Sequence, residues 1–237
     1  DGEPVKNDFS FSDYNEALYY EFPKKSVKSL YLDFSSACVV LTTGKVFSVE
    51  TRGVKENGLI CGLNEEGTLS IKNTSRIPNP AFFSHDRRFH SYPQILVTVP
   101  SGFHFDFISV KMRTGYLFTK KSSFSYSRGE FSCLLGKLNL QKLKGNRTSF
   151  RSVMSSFDMS GTFEGRNDLD CYFGVLRLKN QCSLDESSLD CKVAFAQLEF
   201  GDKISSFFGR ERAEELKNNH YSVISALGSV HVSPDEV

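Results

Sequence analysis

Apolar and polar residues alternate with a period of two over much of this chain. Leu30, Leu32 and Phe34 alternate with Tyr31 and Asp33, and Val39 and Leu41 carry the pattern to Thr43-Gly44. Successive side chains of a strand point to opposite faces, so this pattern predicts a half-buried strand. Short strands are likewise predicted at 46–50, 69–72 and 95–99. Pro100-Ser101-Gly102 reads as a turn. Phe103, Phe105 and Phe107 then alternate, and Ile108, Val110 and Met112 take over in the opposite phase. That flip predicts a bulge or bend between Phe107 and Ile108.

Residues 1–26 read as an N-terminal extension and 27–237 as one domain. Within the extension, Asp13 and Glu16 have capping-box spacing, which predicts a short helix over Ala17-Leu18-Tyr19-Tyr20. Residues 76–93 hold three prolines, two histidines and Asp86-Arg87-Arg88, and are expected to form a surface loop. Residues 209–219 are strongly charged, with Ala213 and Leu216 as their only apolar side chains. They read as an exposed helix or loop between coils.

A short motif recurs: a small residue, any residue, an apolar one, any, and an apolar one. It appears at Gly115-Tyr116-Leu117, Gly129-Glu130-Phe131, Ser155-Ser156-Phe157, Gly174-Val175-Leu176, Ala196-Gln197-Leu198 and Gly228-Ser229-Val230, with an early copy at Ala37-Cys38-Val39. Leu169-Asp170-Cys171 returns as Leu189-Asp190-Cys191. That spacing is close to one coil of a solenoid, in which stacked coils share a core no single coil could bury. The expected fold is therefore all-β: a β-solenoid, a single-stranded β-helix-like stack of short strands. A β-sandwich is the alternative, since its turns recur at similar spacing. Stacked coils would place Cys171 and Cys191 about 4.8 Å apart. Their parallel Cβ vectors favour two reduced thiols over a disulfide.

Composition supports strands: 22 Phe and 9 Tyr, with no Trp. No stretch approaches the roughly 20 apolar residues of a membrane-crossing helix. The opening Asp1-Gly2-Glu3-Pro4 lacks Met, which is read as the removal of a leader or anchor. The six cysteines form no CxxC pair and are expected to be small buried hydrophobes, with disulfides the alternative.

Candidate chemistry is sparse. There is no Gly-x-Ser-x-Gly elbow, and none of the five histidines lies in a motif with a cysteine. His85-Asp86 and His90 match no metal-ligand spacing. The acid pairs Asp168/Asp170 and Asp185/Glu186, and a stacked Asp170/Asp190, read as solvated corner residues rather than hydrolytic carboxylates. No enzyme activity, metal or cofactor is expected.

The runs SLYLDFSSACVVLTTG, GTLSIKN and ILVTVPSGFHFDFISVKMRTG, with the ending NNHYSVISALGSVHVS, resemble a bacterial family of unknown function termed putative adhesins. It is related to the GIN head domain of putative auto-transporter adhesins. The resemblance spans about Ser29 to Ser233 and rests on strand-and-turn patterns. It implies a β-helix-like fold and an extracellular or cell-envelope setting, and no catalytic residues. More Phe and Cys, and small residues replacing motif glycines at Ser155 and Ala196, depart from that pattern.

Charge is segregated although the whole chain carries only +1. Residues 111–151 hold ten basic residues and one acid, a balance of +9, whereas 152–237 balance at −6. Such a band attracts polyanions. The tentative contacts are Lys120, Lys121, Lys142, Lys144 and Arg147. The expected function is a non-enzymatic binding or adhesion module touching anionic envelope polymers. A self-associating scaffold and a carbohydrate-active enzyme are the alternatives. Nucleic acid is not the expected partner, for no reading motif is present.

Overall fold

The computed structural model describes residues 17–53, 58–73, 93–120, 123–180, 187–194, 197–200, 221–225 and 229–231. Fifteen strands run through them in one sheet, and there is no α-helix among the described residues. The N-terminal part comprises β1 (Ala17–Phe22), β2 (Ser29–Gly44), β3 (Phe47–Arg52), β4 (Leu59–Leu63), β5 (Thr68–Asn73) and β6 (Gln94–Pro100). Two long, bent strands follow, β7 (His104–Lys120) and β8 (Phe124–Val153). Shorter ones complete the sheet: β9 (Ser155–Phe163), β10 (Gly165–Tyr172), β11 (Val175–Asn180), β12 (Ser187–Ala194), β13 (Gln197–Phe200), β14 (Tyr221–Ser225) and β15 (Ser229–His231). The fold is all-β, as the alternation predicts.

Among the described residues, antiparallel pairing is confined to β1 with β3, β3 with β6, and β4 with β5. The other pairs are parallel, and in most of the C-terminal half the partner is the corresponding residue of a strand roughly twenty residues on in sequence. Leu117 of β7 faces Leu138 of β8, Phe157 of β9 faces Leu176 of β11, and Leu176 faces Leu198 of β13. One row runs Val39, Leu117, Leu138, Phe157, Leu176, Leu198, Val230. Its first five members are fully buried. The recurring motif is this row, with one exchange. Gly129-Glu130-Phe131 belongs to a second row, and the copy in the first is Gly136-Lys137-Leu138.

The second row runs Ile71, Leu32, Val110, Phe131 and resumes at Phe150, Leu169, Cys191 and Val223. Phe131 and Phe150 join the two segments by stacking, 5.6 Å between centroids and 19° between planes. The core is thus a set of aromatic and aliphatic columns along the stack, held by area burial and ring packing.

Between the two faces the chain turns a corner. Arg113 and Leu134 are skipped by the ladder, and a column of small residues follows: Ala37, Gly115, Gly136 and Ser155. A Cβ added to Gly136 would lie 2.1 Å from the Gly115 carbonyl oxygen. At the opposite end of the first leg, the inward phase changes between Phe105 and Ile108, as the flip predicts. The Asp106 amide leaves the β7–β8 ladder to donate to the Lys28 carbonyl at 2.9 Å.

Two expectations are corrected. Ala17 to Tyr20 is not a helix but part of β1, paired along its whole length with β3. Leu18, Tyr20 and Phe22 alternate with Tyr19 and Glu21, and sheet pairing rewards that alternation more than any cap rewards a helix. The extension therefore ends inside the sheet; Asp13 and Glu16 lie outside the described residues. Second, Cys171 and Cys191 do not stack. Leu169 partners Cys191, Cys171 partners Val193, and Asp190 sits opposite Asp168 rather than Asp170. The pairing offset here exceeds the sequence repeat by two positions. A slip of two preserves every inward and outward position, so the apolar pattern could not reveal it. Residues 209–219 and most of the 76–93 loop, with His85 and His90, lie outside the described residues.

Candidate functional site

The sheet is interrupted in the middle of the basic segment. Leu140 pairs with Met159 and Leu143 with Gly161, so Gln141 and Lys142 together oppose Ser160. Two residues against one make a β-bulge. It places Lys142 at φ 59°, a left-handed conformation that a lysine adopts only under local constraint.

The constraint is a polar clamp. The Gln141 amide donates to Thr119 Oγ1 at 2.7 Å, and the Lys142 amide donates to Ser160 Oγ at 3.3 Å. Ser160 Oγ in turn donates to Gln141 Oε1. Gln141 Nε2 donates to Asn139 Oδ1 at 2.6 Å and to the Asp158 carbonyl at 3.2 Å. Opposite, Gly161 lies so close to Leu143 that a Cβ would sit 1.9 Å from its carbonyl oxygen.

Over this bulge lies a cleft of about 360 Å³. Lys142, Leu143 and Lys144 form one wall, and Ser160, Gly161 and Thr162 another. The Gly102-Phe103 turn and Ser123-Phe124-Ser125 close the remainder. Phe124 and Leu143 are buried beneath, while both lysines are exposed. Among the described residues no carboxylate lines the cleft, and neither lysine makes an ion pair. Two ammonium groups, four hydroxyls and an apolar base form a surface complementary to an anionic group on a larger ligand. Beside it, His104 Nδ1 lies 2.9 Å from Ser125 Oγ and His104 Nε2 lies 2.9 Å from Ser127 Oγ. The imidazole thereby clasps the neighbouring strand, β8.

Other cations of the band lie away from the cleft. Lys111 lies 5.3 Å from the centroid of the Tyr31 ring, and its ammonium is held above its ordinary pKa chiefly by a hydrogen bond with Tyr31. Arg128 donates to Glu130 at 2.7 Å and lies over Phe107. Lys120 closes β7, where its carbonyl accepts from Thr42 Oγ1 at 3.1 Å, and Arg147 is exposed on the next leg. Neither lines the cleft. Lys121 lies outside the described residues. Of the five tentative contacts, the structure therefore brings Lys142 and Lys144 together. The hydroxyls and Phe103 escaped the sequence reading. Their signal is the pairing offset between β8 and β9, which brings Ser160 beside Gln141.

Cys38, Cys61, Cys133 and Cys171 are reduced thiols, none of them in a disulfide. Burial pushes Cys38, Cys61 and Cys133 up to about 12 and raises Cys171 as well. Thiols so protonated are weak nucleophiles at neutral pH. Among the described residues no three His, Cys, Asp or Glu side chains gather as a metal site. No helix among them is long and apolar enough to cross a membrane.

No family model matches the chain, and no curated protein does. Two solved structures are similar to the chain at low identity. One is a putative adhesin from Bacteroides fragilis, 13% identical with a TM-score of 0.40, covering 91% of this chain and 96% of that one. The other is a putative lipid binding protein from Parabacteroides distasonis, 11% identical with a TM-score of 0.35, over the same shares. At that distance neither protein's function transfers.

Proposed function

We propose that this chain is a non-enzymatic binding module of the bacterial exterior or cell envelope, a β-solenoid of the adhesin kind. In this reading it holds anionic polymers through the cleft between Lys142 and Lys144. The observation that carries the proposal is the cleft itself: two exposed lysines with no ion pair among the described residues, flanked by hydroxyls, with no carboxylate in the lining. An enzyme would need an activated nucleophile or an acid–base pair, and the described thiols are held protonated. Coil-on-coil parallel register supports the solenoid over the sandwich, whose sheets pair antiparallel strands. The sequence resemblance to adhesins supports the extracellular setting.

Binding to dextran sulfate, polyphosphate and neutral dextran, at low and high salt, tests this reading. Two lost charge-assisted contacts should cost on the order of tenfold to a hundredfold in affinity. The Lys142→Gln/Lys144→Gln variant is expected to show that loss for the polyanions. Equal binding by wild type and variant, or equal binding of neutral dextran, would refute it.

A further inference from the structure

One corner of the stack is apolar where the fold does not require it. Each of three successive coils turns there on two apolar residues: Leu134-Leu135, Val153-Met154 and Tyr172-Phe173. The preceding coils turn at the same place on Ser35-Ser36 and Arg113-Thr114. Polar residues therefore serve the corner equally well.

One side chain of each pair is exposed. Leu134 is 43% exposed, Met154 52% and Phe173 59%. Exposed apolar residues elsewhere, such as Tyr19 and Ile60, stand on separate strands, and isolated ones are ordinary. Here the exposed residues share one edge. The backbone is also strained to present them: Met154 sits at φ 47° and Phe173 at φ 53°, where bulky side chains are outliers. The Met154 amide fixes the turn by donating to the Tyr172 carbonyl at 2.8 Å. Strain of this kind is characteristic of functional edges.

Two features identify the occupant. The three exposed side chains span two strand spacings, about 10 Å, and none is buried in a groove, so they can enter a soft surface. Their flanks are cationic: Arg113 occupies the corner of the coil before Leu134, with Arg151 on one side and Lys137 on the other, against Asp170. Apolar side chains flanked by three cations and one acid suit the headgroup layer of an anionic bilayer.

The geometry points to an anionic lipid surface as the partner of the Leu134–Met154–Phe173 ridge. The chain docks by this edge, leaving the lysine cleft, on a different face, open to other ligands.

The test is co-sedimentation with vesicles of phosphatidylcholine and phosphatidylglycerol, compared with phosphatidylcholine alone. Wild type binds the mixed vesicles preferentially. Leu134→Ser/Met154→Ser/Phe173→Ser, whose sites are exposed, keeps its melting transition but loses at least about tenfold in binding. Lys142→Gln/Lys144→Gln keeps its vesicle binding, which separates this edge from the cleft. Because the chain has no Trp, Phe173→Trp supplies a lone reporter whose emission shifts to the blue on vesicles. Failure of wild type to bind, undiminished binding by the ridge variant, or a lipid-independent dimer that the ridge variant dissolves without any vesicle binding would each overturn the proposal.

Discussion

Phe173 and Met154 carry a cost that a single substitution can measure. Glycine accepts positive φ freely, whereas a bulky side chain there stores roughly 1–3 kcal/mol of strain. Phe173 is 59% exposed, so little burial is lost on removing it. Phe173→Gly is expected to leave stability unchanged or raise it by about 1 kcal/mol, read as a shift in the urea midpoint, while weakening vesicle binding. A fall of several kcal/mol would mean that the ring supports the core instead. None of this was legible in the sequence, because positive φ at a non-glycine leaves no compositional mark. The two lysines were legible as charge, but the bulge beneath them was not, since it arises from one residue more on β8 than on β9.

The buried thiols give a second prediction at the same scale. An unfolded thiol ionises near 9, whereas Cys38 and Cys133 do so near 12. Between those values the unfolded chain has released protons that the folded one retains. Their contribution is therefore whole below pH 9 and is lost as pH rises towards 12. The slope is on the order of 1.4 kcal/mol per pH unit for each thiol. Urea midpoints measured at neutral pH and near pH 10 should show the fall, and Cys133→Ala should reduce it. An unchanged slope in that variant would show that the thiol is ionised in the fold.

Elements are set by the columns they share. Gly115 and Gly136 touch backbone to backbone across the corner, and there is no room for a methyl group. Gly136→Ala is expected to cost about 2 kcal/mol or more, since both the contact and φ +153° oppose it. Phe157→Ala, in the middle of the main row, should cost about 3–5 kcal/mol. Thermal or urea unfolding reads both. The row itself was largely visible beforehand, because a small residue two places before an apolar one survives irregular coil lengths. Register was less visible. Leu169-Asp170-Cys171 and Leu189-Asp190-Cys191 look equivalent, yet β10 and β12 pair two positions away from that match. A period-two pattern fixes the face but leaves even-numbered slips open. The 17–20 helix failed for a related reason. A capping signal is local, whereas the β3 edge that recruits β1 begins only at Phe47, beyond the whole of β2.

For the whole molecule, the +9 segment is not one patch. Lys111 and Arg128 are engaged with Tyr31 and Glu130, while Arg113, Lys137 and Arg151 flank the apolar corner. Lys142 and Lys144 stand over the cleft. Linear charge counting located the segment but could not divide it, because neighbours across the sheet lie far apart in sequence.

If the cleft lysines hold a polyanion, the salt dependence of its affinity will show it. Each cation that displaces counterions steepens the fall of log affinity with log salt. With dextran sulfate, the account predicts tight binding at low salt, a steep decline, and a slope shallower by about two units in Lys142→Gln/Lys144→Gln. Parallel lines for wild type and variant would contradict it.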